Sequence, residues 1–107
     1  MNMMSNGNKI MQLKCLLEEK EAEKCYKILE TIGDLKTNYG DYLITEPINC
    51  DEELKRVESA DYELCSALFT MLLREDHFCN GMFTQRQVAG QVRIIILRMI
   101  EILECQR

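Results

Sequence analysis

Apolar positions recur along this chain at spacings of three and four, the period of a helix packed on one side. The first stretch opens at Lys9 with Ile10, Leu13 and Leu17, and the pattern resumes after residues 18–24 as Cys25, Ile28, Leu29 and Ile32. Glu23 stands four residues before Lys27, the favourable orientation for an ion pair along a helix. One long helix or two shorter ones broken near Lys20 both satisfy the pattern, with the single helix favoured. Gly33 supplies the stop. Residues 1–8 have no periodicity and read as a flexible N-terminus, which leaves 9–107 as a single helical domain.

Residues 34–50 are irregular. Tyr39, Tyr42, Leu43 and Ile44 suit a loop or short extended piece whose rings cover one edge of the core, closed by Pro47. Asn49 followed three residues later by Glu52 has capping-box spacing, so a short helix is expected there, ending by Ser59. Ser59 is placed to cap the next helix, with Asp61 in its first turn. That helix, expected over 60–74, is apolar at Leu64, Cys65, Ala67, Leu68, Phe69, Met71, Leu72 and Leu73. Only Ser59, Glu63, Ser66, Thr70 and Arg74 form a polar stripe. A helix apolar around most of its circumference is surrounded by others, with one narrow face left for water or a partner.

A turn over 76–81 contains the single histidine and ends in Asn80-Gly81. Phe78 is expected to insert from it into the core. Thr84 and Gln87 repeat the capping-box spacing, which predicts a short helix to Ala89 stopped by Gly90. Residues 92–105 follow. Ile94, Ile95 and Ile96 in a row suit a buried strand, but the run is long and Arg98, Glu101 and Glu104 share one helical face, so helix is the better reading. The predicted architecture is all-α: a small single-domain bundle of four to five helices, two of them short.

Composition agrees and adds the charge. Of 107 residues 47% are hydrophobic and 29% charged, ordinary for one soluble globular domain. The net charge of −5 is unevenly spread. Residues 41–63 hold Asp41, Glu46, Asp51, Glu52, Glu53, Glu58, Asp61 and Glu63 against Lys55 and Arg56, while 82–107 are net basic. An acidic band repels phosphates and attracts basic protein surfaces. The six cysteines, at 15, 25, 50, 65, 79 and 105, follow no basic-then-apolar leader, and Cys65 and Cys105 lie within apolar patterns. They read as reduced thiols in a cytoplasmic protein. No apolar run of membrane-spanning length occurs.

From Ala67 to Gly81 the chain reads Ala-Leu-Phe-Thr-Met-Leu-Leu-Arg-Glu-Asp-His-Phe-Cys-Asn-Gly, then come Gly90 and Ile96-Leu97-Arg98-Met99-Ile100. This order resembles the C-terminal half of domain-of-unknown-function family 6508 over about residues 62–103. That bacterial family typically shows a leucine-rich helix ending in Arg-x-Asp/Glu-Arg-Phe, a small residue or Cys, Asp/Asn-Gly, a glycine and a terminal Ile-Leu-x-Arg-Leu helix. His77 stands where the family often has arginine. The resemblance implies a helical fold and a bacterial or mobile-element origin, and it brings no activity.

His77 with Cys79 suggests an activated thiol or the start of a zinc site. Zinc takes about four ligands in closely spaced pairs, and none is spaced so here. No orienting third group for a catalytic thiol is visible either. Arg74, Glu75 and Asp76 fit a local ion-pair network at a helix end better than an acid pair in a cleft. Arg86, Arg93 and Arg98 are few, without interleaved aromatics, which argues against nucleic-acid binding. The expectation is therefore a non-enzymatic protein-binding module without metal or cofactor. Asp51, Glu52, Glu53, Glu58, Asp61, Glu63, Arg74, Glu75 and Asp76 are its candidate contact residues. Its most concrete form is a phage or mobile-element factor that inhibits a host defence nuclease, anti-CRISPR-like, by occupying a basic surface. The alternatives are a small enzyme or ligand binder centred on 74–81, and a homodimer that buries part of the terminal helix.

Overall fold

The computed structural model of the chain describes residues 5–106. Among them are six α-helices and no strand: α1 (Asn6–Cys15), α2 (Ala22–Thr31), α3 (Cys50–Leu54), α4 (Tyr62–Phe78), α5 (Met82–Val88) and α6 (Gln91–Cys105). Two 3₁₀ turns lie at Tyr39–Tyr42 and Val57–Ser59. The all-α single domain matches the expected class, with one helix more than the four to five predicted.

Helix α4 is the axis. Every residue from Cys65 to Leu73 is buried, because α2, α3, α5, α6 and the Tyr39–Tyr42 turn all pack on it. Helix α6 lies between α4 and α1 and buries Val92, Ile95, Ile96, Met99, Ile100 and Leu103. Burying a large aliphatic side chain stabilises by about 1.5–3 kcal/mol, whereas a β-branched residue in a helix costs well under 1 kcal/mol. The isoleucine run is helical for that reason.

The favoured single N-terminal helix is not formed. Helices α1 and α2 are separated by residues 16–21, and the break is held from a distant part of the chain. The Gln87 amide on α5 donates to the carbonyls of Leu16 and Glu19, and the Thr84 hydroxyl donates to that of Lys20 at 3.1 Å. Carbonyls bound from outside no longer need intrahelical partners. Thr84 and Gln87 therefore do not form the expected capping box. Helix α1 starts at Asn6, ahead of the expected Lys9, because the Ser5 hydroxyl accepts from the Asn8 N–H at 3.2 Å. Residues 1–4 of the expected flexible N-terminus lie outside the described residues.

Gly33 stops α2 as expected. At φ 81° it turns the chain so that its own N–H reaches the Glu30 carbonyl at 3.1 Å and that of Asp34 reaches Leu29 at 2.9 Å. The expected open stripe on α4 is closed at Ser66 and Thr70 by the segment between α2 and α3, and stays exposed at Glu63 and Arg74. Ser66 and Thr70 are buried, and the Thr70 hydroxyl accepts from the Lys36 N–H at 3.0 Å while donating to the Ser66 carbonyl at 2.8 Å. Asp34 adds a second tie, accepting from the Tyr62 hydroxyl and from Lys9 at 3.4 Å.

Two further expectations change at the ends of α4. Its cap is Asp61, which accepts from the Leu64 N–H at 2.8 Å, because the Val57–Ser59 turn sends Val57 and Ala60 into the core and leaves Ser59 outside. At the other end α4 runs on to Phe78, which shares the exposed face of Arg74 four residues earlier and is 78% exposed. The core position expected for Phe78 is taken by Phe83, stacked on Phe69 at 6.2 Å. Gly81, at φ 92°, makes the reversal between them.

Candidate binding surface

The acidic band separates into internal and external groups once its partners are traced. Glu53 is fully buried. Its carboxylate accepts from the N–H groups of Ile44 (2.9 Å) and Thr45 (2.7 Å), from the Thr45 hydroxyl, and from Arg56 at 2.8 Å. Burial opposes its charge, but the Thr45, Arg56 and Ile44 hydrogen bonds outweigh it and hold the carboxyl below the usual range. Arg56 also donates to the Tyr42 carbonyl at 3.0 Å. Glu53 thus anchors the loop before α3 and is not available to a partner, contrary to the expectation that placed it on a contact surface.

A second polar centre forms around Arg86, which is 6% exposed. Its Nε and Nη2 meet the two oxygens of Glu75, and Nη1 donates to Asp51 and to the Gln91 amide oxygen, each at 2.9 Å. One guanidinium on α5 therefore ties α3, α4 and α6 together. Its hydrogen bonds to Glu75 push its pKa further up, and its hydrogen bond to Asp51 pulls that carboxyl down. Beside it the Cys50 thiol is pushed up to about 12, by burial first and by Glu75 second. Asp76 is also structural, since it accepts from the N–H groups of Gly81 (3.1 Å) and Phe83 (2.9 Å) and so caps α5 from α4.

The external acids of the band are Asp41, Glu46, Glu52, Glu58 and Glu63, with the half-tied Asp51 and the capping Asp61. Glu52 pairs with Lys55 at 2.9 Å, and Glu63 accepts from the Tyr42 hydroxyl at 3.2 Å. Glu58 has no ion-pair partner among the described residues. It borders a groove of about 540 Å³ between the α3–Val57 segment and α6, lined by Leu54, Val57, Ile94 and Leu97 with Lys55, Glu58, Arg98 and Glu101 at its rim. Ile94 is 46% exposed and Leu97 44%. Arg98 is held by Glu101 and by the Ala60 carbonyl at 2.9 Å. Both basic rim groups thus have internal partners, and the unspent charge of the groove is acidic.

Sequence reasoning did not single out Ile94 and Leu97 from the apolar run of the last helix. The available signal was the helix period, since both fall on the face of Arg98 and Glu101 at spacings of three, four and seven. Arg86 carried no local signal, because its acids lie 11 and 35 residues away.

The segment 74–81 does not assemble a reactive pair. His77 lines a cavity with Tyr26, Leu73 and Asp76, while Cys79 lines another with Tyr39, Ile48 and Met71. No three of the His, Cys, Asp and Glu side chains among the described residues converge as a metal site requires. All six cysteines are free, and burial pushes the Cys25 and Cys65 thiols up to about 12. No helix of the described residues is long and apolar enough to cross a membrane.

No curated protein and no solved structure shows significant similarity to the chain. A family model does match, and it covers residues 2–104. The resemblance first visible over 62–103 therefore extends through the N-terminal half, where α1, α2 and their pinned break lie. The chain belongs to the family of unknown function DUF6508.

Proposed function

We propose that this protein is a non-enzymatic binding module that takes an amphipathic, basic segment of another protein into the groove between α3 and α6. The observation that carries the reading is the pairing of exposed Ile94 and Leu97 with the unneutralised Glu58 on the same groove. An apolar floor supplies affinity and an unpaired acid selects a cation beside it. Glu52 and Asp51 extend the acidic side, and the net charge of −5 favours encounter with basic partners.

A host defence nuclease with a basic channel belongs to that partner class, and anti-CRISPR-like inhibition in a bacterial cytoplasm is the narrower version. Six free thiols support a reducing compartment for it. With Glu53 internal and Asp61 and Asp76 used as caps, the acid face is thinner than the sequence count of acids implies. An apolar contact therefore has to supply part of the affinity.

The test is a fluorescence titration with a labelled leucine–lysine amphipathic helix, with its leucine–glutamate counterpart as control. The basic peptide binds saturably and the acidic one does not. Leu97→Asp and Glu58→Lys each weaken binding about tenfold or more. Equal affinity for both peptides, or unchanged affinity in Leu97→Asp, overturns the reading. Sedimentation of the peptide-free protein as a dimer whose dissociation follows Leu97→Asp would assign the groove to a second copy instead.

A further inference from the structure

A different part of the surface carries a separate proposal, independent of the groove. Arg56, Arg86, Arg93 and Arg98 are each paired with a carboxylate: Glu53, Glu75 with Asp51, Glu18 and Glu101. Arg74 makes no ion pair among the described residues, although it sits one position before Glu75 and two before Asp76. Both neighbours are already committed, Glu75 to Arg86 and Asp76 to the start of α5. The Arg74 guanidinium is therefore an unspent cation on an otherwise acidic molecule.

Its surroundings are apolar and concave. Arg74 lines a cavity of about 260 Å³ with Tyr39, Ile48, Met71, Phe78 and Cys79, and a second of about 70 Å³ with Tyr26, Leu35 and Thr70. Tyr39 lines both, so Arg74 and Tyr39 stand at the junction. Phe78 is 78% exposed and Ile48 49% at the mouth, an arrangement that leaves apolar surface in water unless something covers it. The one carboxylate that lines the larger cavity, Glu75, is neutralised by its two-point contact with Arg86 and does not repel an anion as a free acid would.

The geometry points to a binding site for a small amphipathic carboxylate. Its head group takes the Arg74 guanidinium through two parallel hydrogen bonds, and its short aryl or alkyl body lies between Tyr39, Ile48 and Phe78. The volume lies just below the ~300–1,000 Å³ common for ligand pockets, so the ligand is small and its affinity modest. A guanidinium on α4 with an aromatic beside it discriminates by charge and by shape together. A bare anion lacks the body and an amine carries the wrong sign.

The experiment is a two-dimensional amide NMR titration of the full chain with 4-phenylbutyrate, alongside acetate and 4-phenylbutylamine. Phenylbutyrate produces saturable shifts centred on Met71, Arg74 and Cys79, and the two controls produce none there. Arg74→Gln, at an exposed unpaired position, keeps the folded spectrum and weakens binding about tenfold or more. Phe78→Ala weakens it less. Leu97→Asp, in the other groove, leaves it unchanged, so failure here is distinguishable from failure of the peptide-binding reading. Absence of saturable shifts, equal response to the amine, or unchanged affinity in Arg74→Gln overturns the site.

Discussion

Two regions of this molecule depart from the usual partition of side chains, in opposite directions. Around Glu53 and Arg86, charged groups are buried and nearly every polar atom of each has a partner. Along the outer face of α6, Ile94 and Leu97 are apolar and left near half exposed over a groove. The first departure is explained from within the chain, because removing either charge would strand the groups that contact it. The second has no internal explanation. Comparing the two separates residues that make the fold from residues free to do something else.

The largest expected effect lies at the centre of the buried region. Glu53→Lys places a cation where four donors converge on one carboxylate, and breaking a buried charged pair costs about 3–5 kcal/mol. That is comparable to the whole stability of a modest domain, on the order of 5–15 kcal/mol. Urea titration followed by helical circular dichroism should show the variant largely unfolded in buffer. A folded Glu53→Lys protein with an unchanged midpoint would break the comparison, since Glu53 would then be a surface acid after all.

Arg86→Met ranks second, at about 3 kcal/mol, because it leaves Glu75 half-buried without its cation. Adding Glu75→Leu should recover part of that loss, since removing both charges is less costly than removing one. No recovery in the double variant would mean that the packing of the Arg86 stem, not the pair, holds the four helices together.

These two centres mark where sequence reading stops. Helices α4 and α6 were legible because their apolar period is long and strong, and Gly33 and Asn49 act on residues within three or four positions. The break between α1 and α2 was not legible, because the donors that hold it, Gln87 and Thr84, are 64 to 71 residues away. Glu53 looked like its neighbours Glu52 and Asp51 because its partners, the N–H groups of Ile44 and Thr45, belong to an irregular loop with no period. Phe78 was misplaced for a related reason: nothing local says whether a helix stops at Arg74 or adds one more turn. Of the nine candidate contact residues, Glu52, Glu58, Glu63 and Arg74 lie open at the surface, Asp51 is half committed, Asp61, Glu75 and Asp76 are tied to caps or to Arg86, and Glu53 is internal.

A smaller effect concerns pH. The Glu53 carboxyl is held below its unfolded value by its hydrogen bonds, so the unfolded chain binds the proton more tightly than the folded one. Its stabilisation is present above the ordinary carboxylate range and is lost as pH falls through the folded value. Glu53→Gln removes that dependence. The stability gap between wild type and Glu53→Gln should therefore narrow between about pH 6 and about pH 3. A gap of constant size would assign the hydrogen bonds, and not the charge, as what anchors the loop.

The smallest expected change in stability belongs to the other region, and its smallness is the point. Ile94→Ser removes an isoleucine already 46% exposed, on the face it shares with Arg98 and Glu101. Surface substitutions usually fall within about 0.5 kcal/mol, and trading a β-branched residue for serine changes helix propensity little. The urea midpoint should stay near wild type. Affinity for the basic amphipathic peptide should nevertheless fall several-fold, because the residue supplies floor to the groove and almost nothing to the core. Should Ile94→Ser instead unfold the protein, the groove would be part of the interior at work, and the contrast between the two regions would collapse into a single core. A variant stable and unaltered in binding would leave Ile94 outside both, which would move the contact surface toward Leu97 and Glu58.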